Sequence, residues 1–282
     1  MLQLLTDYWQ FNLQSMNFWK NTATLDHLVP ELLDTVDVAE AEIAVIGGKP
    51  LDLSSMPKLK AIFKCGVGVD NIPFEEAEKL GIEVILPSAQ TKRYIFEETA
   101  NFAVYLILRV LYKNLGSTEK WEKKQRPFLG DYKVLILGQG NIGKQVADKL
   151  NPLVNVSTYD PLQNSEQELE ELFKQSDVIS LHIPLNEHTV SFVDEEKLSW
   201  MKDGATLVNT ARGPIVSERA LYKEIKNERL CAAFDVFWDE PYNGMLKAFH
   251  PDGFYMTPHV ASNCSTFLTG LASDFYNYIK SN

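Results

Sequence analysis

Two α/β domains, each a parallel sheet covered by helices, are what this sequence predicts, and three observations predict them. The chain has 282 residues, and size scaling points to about two domains at that length. Short apolar runs ending in turn residues alternate with helical patterns, the rhythm that parallel strands joined by crossover helices require. That rhythm comes in two series, separated by a long apolar stretch and a charged segment.

The first series contains AEIAVIGG (41–48), KLKAIFKCG (58–66) and GIEVILP (81–87), read as strands, with PFEEAEKL read as a helix. Residues 97–113, EETANFAVYLILRVLYK, keep helix-compatible apolar spacing without an internal Pro or Gly and predict a long helix buried on several sides. GSTEKWEKKQRPFLGDY then reads as turns and charge. The second series opens at KVLILG (133–138) and continues through VNVSTYD, DVISLHIP, ATLVNTA, LCAAFDVF and FYMTPHV. The tail STFLTGLASDFYNYIK places apolar residues on one helical face, expected to pack back onto the first domain. With the change set near residue 90, residues 1–90 plus 262–282 form one expected domain and 91–261 the other.

Composition narrows the partners. Hydrophobic residues make up 45% and charged residues 23% of the chain, enough apolar surface for packed cores and no sign of disorder. A formal charge of -11 repels phosphate backbones and anionic lipid, which argues against nucleic acid or a membrane surface as partner. Cys65, Cys231 and Cys264 have neither metal-site nor disulfide spacing and read as unpaired thiols of a reducing compartment; no metal centre is expected. MLQLLTDYWQ lacks the charged start and long apolar core of a signal peptide, and no apolar run reaches transmembrane length. A cytoplasmic location is the expectation.

VLILGQGNIG supplies Gly138, Gly140 and Gly143 in G-x-G-x-x-G spacing, directly after a strand and before the helical KQVADKL. The first glycine makes a tight turn, the second lets backbone approach a pyrophosphate, and the third allows close helix–strand packing. The helix N-terminus then offers free N–H groups to the anion. Asp160 ends the next strand, where a carboxylate accepts hydrogen bonds from ribose hydroxyls and repels a 2′-phosphate, so NAD(H) is expected over NADP(H). Asp160 could instead only cap the turn at Pro161.

Three polar residues follow late strands of the second series: Arg212 after ATLVNTA, Glu240 in DVFWDEP, and His259 after FYMTP. Open parallel sheets bind ligands at the carboxyl ends of their strands, so each can reach one rim. An arginine there can take a substrate carboxylate and polarise a carbonyl. A histidine can give a proton to the carbonyl oxygen as hydride arrives on carbon, and a glutamate can orient the imidazole and favour its charged form. Taken singly, Arg212 could pair with a helix end, Glu240 could be a solvated loop acid and His259 a structural histidine.

With LGQGNIG, SDVISLHIPLNEHT, LVNTARGPIV, AAFDVFWDEP and TPHVA in order, the chain resembles the D-isomer-specific 2-hydroxyacid dehydrogenase family from about residue 41 to residue 261. The resemblance implies two Rossmann-like or flavodoxin-like domains with an active-site cleft between them, and a homodimer formed through the Rossmann domain. It implies that Arg212 binds and polarises substrate, Glu240 supports the histidine and His259 is the acid/base. Asp235 is placed near the nicotinamide carboxamide, and Asn141 and Ile142 offer backbone to the pyrophosphate. His182 and Pro184, of the family's H-x-P strand end, form the cofactor-side wall, with His182 structural rather than catalytic; Thr210 and Ala211 join that cofactor side. CGVGVDN looks like the family's carboxylate loop, with the N–H groups of Val67 and Gly68 cradling the anion. From its residues alone that stretch reads equally well as a tight strand–helix turn.

The chain departs from the family pattern in its short N-terminal part, in LPSAQTKRYIFEE, which lacks an Asn-x-Pro entry, and in VASNCS after the histidine. The expected reaction is NAD-dependent interconversion of a small 2-oxo acid and its D-2-hydroxy acid. The rival from another class is an NAD(H)-sensing binding protein of the dehydrogenase-like corepressor type, without significant turnover.

Overall fold

The computed structural model describes residues 16–113 and 115–281, so the N-terminal MLQLLTDYWQ lies outside the described residues. In chain order the elements of the first series are β1 (Phe18–Lys20), β2 (Ile43–Ile46), β3 (Ala61–Lys64), α1 (Phe74–Lys79), β4 (Glu83–Ile85) and α2 (Ala89–Leu111). A two-strand hairpin follows, β5 (Gly116–Ser117) and β6 (Glu122–Lys123). The second series is β7 (Lys133–Leu137), α3 (Asn141–Leu150), β8 (Asn155–Tyr159), α4 (Glu166–Gln175), β9 (Val178–Leu181) and α5 (Glu195–Trp200). It ends with β10 (Thr206–Asn209), α6 (Glu218–Lys226), β11 (Cys231–Phe234), β12 (Phe254–Met256) and α7 (Ser265–Ser281).

The chain divides into two compact units, one running to Ile95 and resuming at Asn263, the other Phe96–Ser262. In the first, four strands pair in the order β1-β2-β3-β4, all parallel. Because side chains alternate along a strand, Ile43, Val45, Ala61 and Phe63 face one core with Phe267, Leu271 and Phe275 of α7. Ala44, Ile46 and Ile62 face a second core with Leu53, Met56 and Ala77. Phe275 meets Phe63 edge-on with ring centroids 5.0 Å apart, an arrangement that adds about 0.5–1.5 kcal/mol beyond area burial.

The second unit holds six parallel strands in the order β12-β11-β10-β9-β7-β8. Val134 and Ile136 of β7 pack with Leu106, Ile107 and Val110 of α2 and with Val146 and Leu150 of α3. Leu135 and Leu137 turn to the opposite core, with Phe173 of α4, Leu198 of α5 and Leu221 of α6. Helices cover both faces, which is why β9 and β10 are buried at every position, their polar Ser180, Thr206 and Asn209 included. The strand order reverses at the β7–β9 pair, the topological switch point at which such sheets open a crevice for ligands.

Register carries that crevice across the sheet. Leu137 pairs with Leu181, Leu181 with Asn209, Asn209 with Phe234, and Phe234 with Met256. The residues one step further on, Gly138, His182, Thr210, Asp235 and Thr257, therefore share the carboxyl rim.

Two features depart from the sequence reading. The long helix starts at Ala89 instead of 97, its first turn anchored by the Ser88 hydroxyl, which accepts from the Thr91 N–H at 3.3 Å; AQTKRY is helix-compatible yet too polar to show an apolar stripe. Strand β1 and the β5–β6 hairpin were not expected, since three and two residues per strand are too short for a period to appear.

Candidate active site

The glycine loop is built by sterics. Gly138 has φ +107°, and a Cβ there would lie 2.6 Å from the backbone of His182. A Cβ on Gly143 would lie 1.9 Å from the Gly138 carbonyl oxygen, so the third glycine lets α3 close against the loop. Gly140 differs: a Cβ there would meet nothing within 4 Å, and its φ of -75° suits any residue. The fold leaves open space at this position, at the N-terminus of α3, whose first turn carries no acidic residue. Open space at a helix N-terminus is a cradle that a pyrophosphate fits.

Asp160 follows β8 and faces both ways. One carboxylate oxygen accepts the Leu162 N–H at 3.0 Å, the turn cap the sequence allowed, while the other accepts the Gln139 N–H of the glycine loop at 3.3 Å. Across the switch point, His182 Nε2 lies 2.9 Å from the Ser180 hydroxyl. Burial pushes its pKa down to about 3, so this imidazole is neutral through the physiological range and exchanges no proton there. The Pro184 carbonyl accepts from the Thr189 hydroxyl at 2.6 Å and shapes the turn beyond β9.

At the end of β10 the buried Asn209 organises the next turn: its amide donates to the Arg212 carbonyl at 2.8 Å and its oxygen accepts the Ala211 N–H at 2.9 Å. Thr210, also buried, has a hydroxyl without a hydrogen-bond partner among the described residues. A buried hydroxyl in that state fits a polar group of a ligand at the rim. The guanidinium of Arg212 donates to the Ala211 carbonyl at 2.8 Å. The glycine after Arg212 has a steric reason: a Cβ on Gly213 would lie 2.1 Å from the Phe237 backbone, so only glycine lets the segment leading to Glu240 come this close.

Glu240 and His259 meet at 2.8 Å, Glu240 Oε2 to His259 Nδ1. The other oxygen of Glu240 accepts the Phe237 N–H at 3.1 Å. Burial raises the Glu240 pKa, but the His259 hydrogen bond and charge, the Phe237 N–H and the Arg212 charge outweigh it, and the carboxyl is held below its ordinary value. An ionised carboxylate only accepts, so Nδ1 carries the hydrogen and Nε2 is the nitrogen free to exchange a proton.

The backbone of His259 is left-handed, φ +53°, an uncommon conformation for a residue with a Cβ. Asp235 holds it. Its fully buried carboxylate accepts the Thr257 hydroxyl at 2.6 Å, the Val260 N–H at 2.9 Å and the Ala261 N–H at 2.8 Å, bracketing the histidine from both sides. Burial raises the Asp235 pKa against the pull of these donors. Asn209 and Thr257 were not among the expected residues; the available signal was a polar side chain at the end of an otherwise apolar strand.

In the first unit, Val67 and Gly68 sit half-buried in the loop after β3. Neither backbone N–H donates a hydrogen bond within the chain among the described residues. No group of three or more His, Cys, Asp or Glu suited to a metal occurs among the described residues. Cys65, Cys231 and Cys264 are free, and burial pushes the Cys65 thiol up to about 12.

A glycine loop at a switch point, an acid after the next strand and a histidine–glutamate pair whose carboxylate feels the charge of an arginine fit one class, a dinucleotide-linked oxidoreductase. Comparison with known proteins specifies it. Residues 109–261 match the family model "D-isomer specific 2-hydroxyacid dehydrogenase, NAD binding domain", and residues 31–124 match that family's catalytic domain. Hydroxypyruvate reductase of Thermotoga maritima is 32% identical, the match covering 88% of this chain and 86% of that protein. Glyoxylate reductase of Korarchaeum cryptofilum is also 32% identical, over 88% of this chain and 80% of its own. Among solved structures, D-lactate dehydrogenase of Aquifex aeolicus, complexed with NAD and lactic acid, matches with TM-score 0.74 and 28% identity, over 86% of this chain and 83% of that one. The chain belongs to the D-isomer-specific 2-hydroxyacid dehydrogenase family: it is an oxidoreductase carrying that family's NAD-binding domain. Relatives named as reductases and dehydrogenases do not favour the sensor alternative.

Proposed function

We propose that the protein reduces a small 2-oxo acid of the glyoxylate or hydroxypyruvate type to its D-2-hydroxy acid, with Arg212, Glu240 and His259 as the catalytic set. The observation that carries the reading is the Glu240–His259 pair, held at 2.8 Å on the carboxyl rim of the six-stranded sheet. Bound NADH supplies the hydride. His259 Nε2–H gives its proton to the substrate carbonyl oxygen, and Glu240 stabilises the charged imidazole that makes this donation. Arg212 takes the substrate carboxylate and polarises the carbonyl. The product is neutral at the former carbonyl, and each turnover consumes one proton.

In this reading Gly138, Gly140, Asn141, Ile142 and Gly143 hold the pyrophosphate and Asp160 the adenosine ribose. Asp235, His182, Pro184, Thr210 and Ala211 line the nicotinamide side, and the Val67 and Gly68 amides receive the substrate carboxylate. We divide the functions as 1–90 with 262–282 for substrate and 91–261 for NAD. A homodimer through the NAD-binding unit is supported by exposed apolar side chains after α2, with Leu115 62%, Trp121 82% and Phe128 76% exposed. A cytoplasmic location is supported by three unpaired cysteines, the state a reducing compartment maintains.

The test is NADH oxidation followed by absorbance with glyoxylate, hydroxypyruvate, pyruvate and phosphohydroxypyruvate. Turnover with one or more of these, abolished in His259→Asn, is expected. NADH binding without turnover on any of them would sink the proposal.

A further inference from the structure

The carboxyl edge of the four-stranded sheet carries a charge that the proposed chemistry does not use. Lys64 ends β3 and is 3% exposed, among the most buried charged side chains of the chain. A lysine is rarely so buried unless its ammonium is fully engaged. Its Nζ donates to the Gly47 carbonyl at 2.5 Å and to Asn71 Oδ1 at 2.6 Å. The Asn71 amide in turn donates to the same Gly47 carbonyl at 3.0 Å and to the Lys49 carbonyl at 2.6 Å. Gly47 is itself tied to the end of β1, its N–H donating to Asn21 Oδ1 at 2.9 Å.

These bonds have a consequence for the segment they enclose. Lys64 and Asn71 are seven residues apart, and their side chains close the loop 65–70 on itself while docking both its ends on the turn after β2. Inside the loop, Gly66 has φ +152° with open space at its Cβ position, while Cys65 and Val67 pack against the core of the first unit. The Lys64 and Asn71 bonds add to this packing by pinning both ends of the loop. Val67 and Gly68, whose amides make no bond within the chain among the described residues, lie between those ends.

We infer that Lys64 and Asn71 form a positioning staple for substrate: bonded to each other and to the 47–49 turn, they fix the 66–68 amides in the pose that receives the carboxylate of a 2-oxo acid. This deepens the proposed function and rests on its assignment of Val67 and Gly68 as carboxylate donors. The ammonium is occupied by Gly47 and Asn71, so it acts through the loop and is not itself a catalytic group. It also keeps a positive charge under an anion-binding loop in a chain of net charge -11.

The experiment compares wild type, Lys64→Met, Lys64→Arg, Asn71→Ala and the Lys64→Met/Asn71→Ala double variant in steady-state reduction with NADH. It adds oxalate, a non-reducible dicarboxylate, as a binding probe in the presence of NADH. Lys64→Met and Asn71→Ala are each expected to raise the 2-oxo acid KM about tenfold, change kcat less than threefold, and leave the NADH Kd within twofold. Oxalate affinity should fall in parallel, Lys64→Arg should recover part of the loss, and the double variant should be no worse than the poorer single one, since either change opens the same staple. Unchanged KM and oxalate affinity in both single variants, or fully multiplicative losses in the double, would overturn the inference while wild-type turnover left the proposed function standing. A wild type that neither turns over nor binds oxalate would remove both. Should Lys64→Met fail to fold, Asn71→Ala and Lys64→Arg carry the same comparison.

Discussion

Glu240 and His259 share one hydrogen bond but differ in what their loss removes. His259→Asn deletes the proton donor while an Asn tolerates the left-handed backbone, so kcat should fall by about 10²–10⁴-fold. NADH affinity, measured by fluorescence titration, should stay within about twofold. Glu240→Gln keeps the shape and an oxygen for Nδ1–H but loses the charge, so a loss of about tenfold or more in kcat is expected, with smaller change in KM. A Gln variant as active as wild type would mean that the carboxylate is only a hinge for the ring. His182 gives a stability prediction. Its pKa is pushed from 6.5 down to about 3 in the fold, so below pH 6.5 the unfolded chain binds a proton that the folded chain refuses. Stability should therefore decline as pH drops from 6.5 toward 3, and His182→Gln should flatten that decline in urea titrations at pH 7, 5.5 and 4.5.

Among the elements, the β7–α3 loop separates folding from binding. A Cβ on Gly143 meets the Gly138 carbonyl oxygen at 1.9 Å, so Gly143→Ala should lower the melting temperature and weaken NADH binding together. A Cβ on Gly140 meets nothing within 4 Å. Gly140→Ala should melt with wild type yet bind NADH more than about tenfold more weakly, because the methyl fills space that the pyrophosphate needs. Equal melting and equal affinity would show that no ligand approaches there. This loop was legible in the sequence because its three glycines each answer a separate steric demand, and the long strands were legible because both their faces are buried. Asn209, Thr257, Lys64 and Asn71 were not. Lys64, Asn71 and Thr257 find partners brought by other strands, as Lys64 finds Gly47 at the end of β2, and Asn209 organises its own turn through single polar bonds; no local period encodes either. His259 was legible through its motif, but its backbone conformation and the Asp235 bracket required the fold.

On the scale of the whole molecule, two sheets with separate cores give two sets of stability determinants. Phe275, fully buried against Phe18 and Phe63, is the keystone of the first. Phe275→Ala should cost about 3–5 kcal/mol, and hydrogen exchange should quicken in β1–β4 and α7 first. Adding NADH should slow exchange in the six-stranded unit, where its proposed ligands lie, and rescue the variant's first unit little. Uniform acceleration throughout the chain would mean that the two cores melt as one.

The left-handed backbone at His259 also bears on how such a chain would drift. At φ +53° a glycine or asparagine is the residue that the backbone favours, and a side chain with a Cβ is held there against a local strain of order 1–3 kcal/mol. A lineage released from the need for an acid/base could gain stability by a single exchange at this position. In the proposed function the imidazole at residue 259 is kept at that local cost because the chemistry needs it there.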